Sequence, residues 1–242
     1  MSEKNAGMVS RLERGDGGAS PKTLSEQAYV QLRSEIQSGA LLPGAKLSTT
    51  AMKQRFGLSL STVREALTRL LGDALVTLEG QRGFRVAPVS LFDLHDLLAV
   101  RRLVEGEALA RSIERGDDGW EGGVVSAYHE LQRIEERLSM TICAAGEADI
   151  ARLGQIWEER NARFHMSLIA ACQSPRLLRL YGELYDQTAR YRQVSFVSKG
   201  LVLQSVDDEH RALFEAVMER NVVAAQQAAA RHLESILNYF EP

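Results

Sequence analysis

The sequence predicts a mainly α-helical protein built from two parts of unequal size. Apolar residues recur at helical spacing through most of the 242 residues, whereas strand-like runs occur only shortly before residue 89. The charge divides at the same place: residues 1–88 contain 12 basic and 8 acidic side chains, and residues 89–242 contain 17 and 24. A basic first part and an acidic second part indicate two domains with separate tasks.

The composition is that of an ordinary water-soluble chain. Hydrophobic residues make up 45% and charged residues 25%, and no apolar run approaches the ~18–20 residues that span a bilayer. The N-terminus is polar and has no hydrophobic secretion segment, so we expect a cytoplasmic protein without a membrane partner. The two cysteines, Cys143 and Cys172, are too few for a disulfide framework, and we expect both to be reduced.

The first helix is expected to follow a disordered arm. Residues 1–21 have no apolar periodicity and are rich in glycine, which predicts the arm. From Leu24 onward an apolar residue recurs every fourth position as far as Ile36, which predicts one face of a helix. The segment 39–47 is then predicted to be a turn.

Two further helices and a hairpin are predicted to complete the first domain, residues 22–88. A short helix fits 49–56 and ends at Gly57, and a third helix follows with Ser59 or Ser61 as its N-cap. Two β-type runs, 74–79 and 83–89, are joined by a Gly-rich turn typical of a hairpin. Three helices and a hairpin in this order are typical of a winged helix-turn-helix.

The arrangement points to double-stranded DNA as a partner. In a helix-turn-helix the second helix places its first turn in the major groove, which requires short polar or basic side chains there. A wing at the hairpin tip would reach the backbone or the minor groove. The DNA-binding candidates are Lys53, Arg55, Ser59, Ser61, Thr62, Arg64, Arg82 and Gly83.

The second domain, residues 89–242, is predicted to be an all-α bundle of about six helices. The periodic segments lie near 91–115, 120–143, 148–172, 175–198, 204–219 and 221–240. All five histidines lie in this domain. Asn161 and His165 share a helix face, while His210 and His232 belong to later helices. The three late histidines either converge as a divalent-metal site or serve separately as structural residues.

The chain resembles the GntR family of transcription regulators. The first set of matching residues is Ile36, Gly39, Leu41, Pro43, Gly44 and Leu47. The recognition region and wing match at Phe56, Gly57, Ser59, Val63, Arg64, Glu65, Ala66, Leu67, Leu70 and Arg82 to Val86. Family members commonly have Arg-Thr-Pro where this chain has Leu60-Ser61-Thr62, which implies an operator different from the common half-site.

The second domain resembles the all-helical ligand-binding domain of the fatty-acid-regulator-like branch of that family. The matching residues are Asp93, Leu94, Asp96, Leu97, Arg101, Val104, Glu105, Ala108, Phe164, His165, Leu168, Glu209 and His210. Many members of this branch bind a metal through an Asp-x3-His pair and two later histidines. The resemblance therefore implies a divalent transition metal such as Zn or Ni at His165, His210 and His232. Asn161 stands where the family has aspartate, so binding should be weaker, with an effector carboxylate completing the charge balance.

The resemblance also implies a small carboxylate effector. Arg101 matches a position that lines the family's pocket. Arg190, Tyr191 and Arg192 are further candidates. A solvated helix face would explain Arg190 and Arg192 equally well. The segments GDDGWE, ACQSPRLL and LYDQTARYR resemble a subgroup that includes a carbon-starvation-induced repressor of glutarate use, which suggests a dicarboxylate.

These observations together predict a homodimeric repressor whose effector changes its affinity for the operator. An alternative is a regulator with a metal-free pocket for an acyl thioester or another ligand, in which the histidines are structural. We expect no enzyme, because the Glu-x-x-His pairs of di-metal oxidases are missing: Ala162, Asp207 and Ala229 precede the three histidines by three residues. Phosphate-binding and hydrolase motifs are also missing.

Overall fold

A computed structural model of the chain describes residues 23–80, 83–142, 147–199 and 203–238. The predicted arm 1–21, Arg82 and Cys143 lie outside the described residues. The chain divides into two compact units. The first contains the described residues up to Ile36 and Gly44–Ala87, and the second contains Gln37–Pro43 and everything from Pro88 onward.

The first unit is the predicted winged helix-turn-helix. Its helices are α1 (Leu24–Gln37), α2 (Thr49–Phe56) and α3 (Leu60–Gly72), and its strands are β1 (Lys46–Leu47), β2 (Val76–Leu78) and β3 (Phe84–Val86). The strands form one antiparallel sheet in the order β1-β3-β2. The apolar faces of α1 and α3 are buried, and they include Leu32, Ile36, Val63, Leu67 and Leu70.

Local chemistry fixes the turn between α2 and α3. Gly57 ends α2 with φ 65°, a left-handed conformation that a residue without Cβ adopts readily. Ser59 then begins α3, because its side chain accepts a hydrogen bond of 3.1 Å from the Thr62 backbone N–H. Of the two cap residues that the sequence allowed, the structure uses Ser59.

The sheet has one strand that the sequence did not predict. Residues 46 and 47 fall in the segment predicted as a turn, yet they pair with β3, with Lys46 opposite Arg85 and Leu47 opposite Phe84. Leu47 is buried. A strand of two residues is too short to show a period of two, so only its pairing with a distant strand defines it.

The second unit contains six helices within its described ranges, which confirms the all-α prediction. They are α4 (Leu91–Arg115), α5 (Asp118–Ile142), α6 (Glu147–Ile169), α7 (Pro175–Lys199), α8 (Leu203–Met218) and α9 (Val222–Asn238). A short 3-10 helix, Ala170–Cys172, follows α6. In the ranges that the structure describes, no helix combines the length and the apolar character needed to cross a membrane.

The helices of the second unit pack around one apolar core. Arg220, which follows α8, holds the connection between α4 and α5 in place. Its guanidinium group donates to the backbone carbonyl oxygens of Ile113 and Gly116 at 3.0 and 2.9 Å. Trp120 lies in the same corner and donates its indole N–H to the Ser167 carbonyl. This corner leaves no space at Gly116, since a Cβ built there would lie 1.9 Å from the Trp120 ring.

We therefore expect Gly116→Ala to lower the free energy of unfolding by about 1–3 kcal/mol, because the Trp120 ring must move to make room. Urea unfolding followed by circular dichroism measures the change. Gly122→Ala is the matched control, because nothing lies within 4 Å of a Cβ at that position of α5. The control should be neutral or stabilising by up to about 1 kcal/mol, since alanine favours a helix over glycine. Equal loss of stability in both variants would contradict this account.

Candidate functional site

The first turn of α3 presents its polar side chains to solvent. Ser61 and Arg64 are exposed and Thr62 is half-buried, while Val63 and Leu67 turn inward. The Ser59 hydroxyl lies 2.7 Å from that of Ser61 and 2.8 Å from that of Thr62, so the three hydroxyls form one small polar surface. This surface has the size and chemistry of groups that contact base edges or phosphates.

The remaining DNA-binding candidates differ in their surroundings. Lys53 on α2 is exposed. Arg55 donates two hydrogen bonds to Glu35, of 2.8 and 2.5 Å, so part of its charge is neutralised within the unit. Gly83 has φ 88° and directly precedes β3, the return strand of the hairpin. Arg82, the predicted wing tip, lies outside the described residues.

The three late histidines of the second unit converge. His165 on α6, His210 on α8 and His232 on α9 each offer a ring nitrogen, and these nitrogens all lie within 4.8 Å of one another. The ring centroids are 4.8 to 5.3 Å apart. All three side chains are buried. Of the two possibilities left open by the sequence, the structure favours convergence over three separate histidines.

Carboxylates orient two of the three rings. His210 Nδ1 lies 2.9 Å from Glu135 Oε1, and His232 Nδ1 lies 2.8 Å from Glu209 Oε2. An ionised carboxylate only accepts hydrogen bonds, so the proton of each neutral ring is on Nδ1. Each Nε2 therefore keeps a lone pair for a ligand, as in the carboxylate–histidine pairs of metal sites.

Burial disfavours the charged form of two of the three imidazoles. It lowers the pKa of His165 well below the usual value, and the nearby basic groups of His232, His210, Arg101 and Arg192 lower it further, because they disfavour another positive charge beside them. Burial also lowers the pKa of His232 to about 4, although the Glu209 carboxylate opposes this shift. Both rings are therefore neutral at pH 7, the state in which imidazole binds a metal.

Asn161 lies one turn before His165 on α6 and is buried. Its side-chain N–H donates to the Tyr185 hydroxyl at 2.7 Å, while its Oδ1 has no hydrogen-bond partner among the described residues. Neither ring nitrogen of His165 nor Nε2 of His210 has one either. Buried polar atoms are normally satisfied, and the unprotonated nitrogen of a neutral imidazole offers a lone pair, so these unpaired atoms fit a cation that binds between them.

A buried ion pair lies beside the cluster. Arg101 donates to Glu105, one turn later on α4, at 3.1 Å, and to the Tyr181 hydroxyl at 3.3 Å. Its guanidinium carbon is 4.9 Å from the centre of the Tyr185 ring. Arg101 Nη1 is buried without a partner in the part of the chain that the structure describes. An anion that enters the site can therefore accept a hydrogen bond from it.

The three candidates on α7 do not share one environment. Arg192 faces the cluster region, pairs with Glu158 of α6, and has its guanidinium carbon 4.4 Å from the Tyr185 ring centre. Tyr191 instead donates its hydroxyl proton to Asp93, in the first turn of α4. Arg190 is buried and has Tyr191 and Asp93 as its charged or ionisable neighbours. The structure thus brings Arg101 and Arg192 to the histidines, but neither Arg190 nor Tyr191.

The sequence reasoning missed the three carboxylates that lie behind the histidines. Glu105 was detectable, because a residue four positions after an arginine on a helix is placed to pair with it. Glu209 adjoins His210 in sequence but contacts His232 instead. Glu135 reaches His210 from another helix, so nothing near it in the sequence indicates its partner.

Two family models match the chain. The model described as "Bacterial regulatory proteins, gntR family" matches residues 24–86, and the model described as "FCD domain" matches residues 96–235. The first range contains the exposed turn of α3, and the second contains all three clustered histidines.

Curated relatives match over most of the chain. The HTH-type transcriptional regulator BphR of Paraburkholderia xenovorans (strain LB400) is 36% identical over 220 residues, which cover 91% of this chain and 86% of BphR. The HTH-type transcriptional repressor GlaR of Escherichia coli (strain K12) is 32% identical over 212 residues, 86% of this chain and 92% of GlaR. These homologues are transcription regulators rather than enzymes, as the sequence predicted.

A solved structure shares the fold. Escherichia coli McbR/YncC matches with a TM-score of 0.74 and 20% identity over 90% of this chain and 99% of its own. At this identity the likeness shows the architecture alone.

The buried ion pair should contribute strongly to stability. We expect Glu105→Ala to lower the free energy of unfolding by about 3–5 kcal/mol, because it leaves the Arg101 charge buried without its counter-ion. Urea unfolding of the metal-free protein measures this loss. Glu234→Ala is the control, since Glu234 pairs with Arg102 at the surface, where both side chains are more than 60% exposed. A surface pair contributes about 0–1 kcal/mol, so similar losses in the two variants would contradict the expectation.

Proposed function

The chain belongs to the gntR family of bacterial regulatory proteins and carries an FCD domain, and on this premise we propose that it is a metabolite-responsive transcription repressor with a metal-dependent effector site. The observation that carries the proposal is the buried cluster of three histidines in the ligand-binding unit. Repression follows from the resemblance to GlaR, a transcriptional repressor at 32% identity.

The metal proposed for the cluster is a divalent transition ion, Zn²⁺ or Ni²⁺. Imidazole nitrogens suit both ions. His165, His210 and His232 would hold the ion, with the Asn161 carbonyl oxygen as a fourth ligand. Three histidine ligands would leave the fourth position of a four-coordinate ion open for an exogenous group, whereas with Asn161 as a fourth ligand an exogenous group requires an ion of higher coordination number.

The effector proposed for the open position is a small carboxylate. Its negative charge offsets that of the ion, and Arg101 Nη1 offers it a charge-assisted hydrogen bond. Arg192 adds positive charge near the site, although Glu158 already pairs with it. Arg190 and Tyr191, beside Asp93, are outside this proposed effector contact.

The DNA contact proposed for the first unit is the first turn of α3. Ser61, Thr62 and Arg64 would face the major groove, and Lys53 and Arg55 the phosphates. Leu60 is 43% exposed at the start of the same helix. An apolar side chain there suits a thymine methyl group, so the half-site would differ from one that requires an arginine–guanine contact.

The partner proposed for the second unit is a second copy of the chain, because a two-fold regulator matches a pseudo-palindromic operator. An open cleft of about 440 Å³ runs between α4 and α9. Leu103 at its edge is 75% exposed and Val223 is 63% exposed. Exposed apolar side chains beside a cleft are typical of a contact surface. Effector binding would change operator affinity by the coupling usual in such regulators, about 1–3 kcal/mol.

The metal proposal predicts one divalent ion per chain. After incubation with Zn²⁺ or Ni²⁺ and removal of excess ion, native mass spectrometry should show a dimer with two ions. His165→Ala should lose the ions, because one of the three imidazole ligands is missing, while the exposed His129→Ala should keep them. A dimer that takes up no ion would instead support the metal-free pocket for an acyl or other ligand.

The DNA proposal predicts that Arg64→Ala weakens operator binding about tenfold or more, because a charged contact to a base or phosphate is worth about 1–3 kcal/mol. Fluorescence anisotropy with the protein's own promoter fragment gives the Kd. Arg179→Ala, which removes an exposed arginine from α7, should bind like the unmodified protein. Unchanged binding by Arg64→Ala would exclude α3 as the recognition helix.

A further inference from the structure

The ligand set at the proposed metal site carries no charge of its own. Imidazole and amide ligands supply lone pairs only, and no negative charge. All four side chains are at least nine-tenths buried. A buried divalent ion without a negative counter-charge is strongly disfavoured, so negative charge close to the ligands would stabilise it.

Glu135 on α5 lies behind His210. Its Oε1 accepts two hydrogen bonds, from His210 Nδ1 at 2.9 Å and from the Trp157 indole N–H at 3.0 Å. Its Oε2 is buried without a partner among the described residues. A carboxylate held in this way fixes the orientation of the ring.

Glu209 on α8 lies behind His232 in the same manner. Its Oε2 accepts hydrogen bonds from His232 Nδ1 at 2.8 Å and from the Ser235 hydroxyl at 2.9 Å. The third ring, His165, has Glu105 as its neighbour, but their nearest atoms are 3.7 Å apart. Glu105 is engaged by Arg101 instead.

The described side chains around the cluster leave two negative charges without a positive partner, which match the charge of a divalent ion. Arg101 cancels Glu105, and Arg192 cancels Glu158. Glu135 and Glu209 are then the two carboxylates in contact with the histidines that no arginine neutralises among the pairs described. Together they place two negative charges one hydrogen bond away from the ligands.

We propose that Glu135 and Glu209 are positioning residues of the metal site, and that they supply through His210 and His232 the negative charge that Asn161 does not provide. The proposal rests on the metal site proposed above. The negative charge that Asn161 lacks then comes from two residues on α5 and α8, and not from the effector alone.

Glu135→Gln and Glu209→Gln test this proposal, because glutamine keeps the size of the side chain and removes its charge. Competition with a chromophoric chelator gives the Zn²⁺ affinity of each purified dimer. We expect each variant to bind Zn²⁺ about 10–100-fold more weakly, the usual effect of removing such a partner. Glu130→Gln is the matched control on α5, since Glu130 pairs with Arg160 and Arg163 rather than with a histidine.

Restoring charge among the ligands should rescue the loss. In the Glu135→Gln background, Asn161→Asp should recover most of the Zn²⁺ affinity, because the aspartate can accept from the Tyr185 hydroxyl and adds the missing charge. A purely structural role for Glu135 predicts no rescue, and that result would overturn the proposal.

The two tryptophans give a readout that needs no variant. The Trp157 indole N–H donates to Glu135, whereas that of Trp120 donates to the Ser167 carbonyl. Zn²⁺ binding should therefore shift the indole N–H resonance of Trp157 and leave that of Trp120 nearly unchanged in a two-dimensional NMR spectrum. An unshifted Trp157 signal in the Zn²⁺-loaded protein would overturn the proposal.

The outcomes separate this inference from the proposed function. If His165→Ala abolishes Zn²⁺ binding but both glutamine variants bind Zn²⁺ like Glu130→Gln, the metal site is supported and the role proposed for Glu135 and Glu209 is refuted. If the unmodified protein binds no divalent ion, both the metal site and the role of the two glutamates are refuted.

Discussion

The second unit depends on three imidazole rings that are buried close together in the middle of a helical core. Burial disfavours the protonated form, which is why the pKa values of His165 and His232 lie below the usual range. A ring N–H still needs a hydrogen-bond acceptor, and Glu135 and Glu209, on neighbouring helices, accept hydrogen bonds from His210 and His232. The packing of α5, α6, α8 and α9 is thus tied to the chemistry of one site.

The positive side chains next to the cluster are also buried, and burial disfavours a charge that has no partner. Arg101 and Arg192 each have a carboxylate partner, so the charges of these two pairs cancel close to the histidines. The Tyr185 ring lies against both guanidinium groups. These two pairs therefore add little net charge of their own beside the histidines.

The first unit differs from the second, because contacts between residues close in sequence define most of its structure. Ser48 and Ser59 cap α2 and α3, Gly57 makes the turn between them, and the polar first turn of α3 faces solvent. Its proposed task requires a rigid helix with a few exposed side chains. The asparagine in the second unit and the leucine at the start of α3 both depart from the pattern common in the family, and both lie in the sites proposed here.

The sequence by itself determined the elements whose signals are local. The helices from α1 to α9, the hairpin, the turn at Gly57 and the face shared by Asn161 and His165 all follow from periodicity, capping and spacing over a few residues. Only the tertiary structure decided that β1 pairs with β3, that Glu135 and Glu209 support His210 and His232, and that Tyr191 turns to Asp93. These contacts join residues far apart in the chain, and their formation depends on how whole helices and strands pack, which no local pattern records.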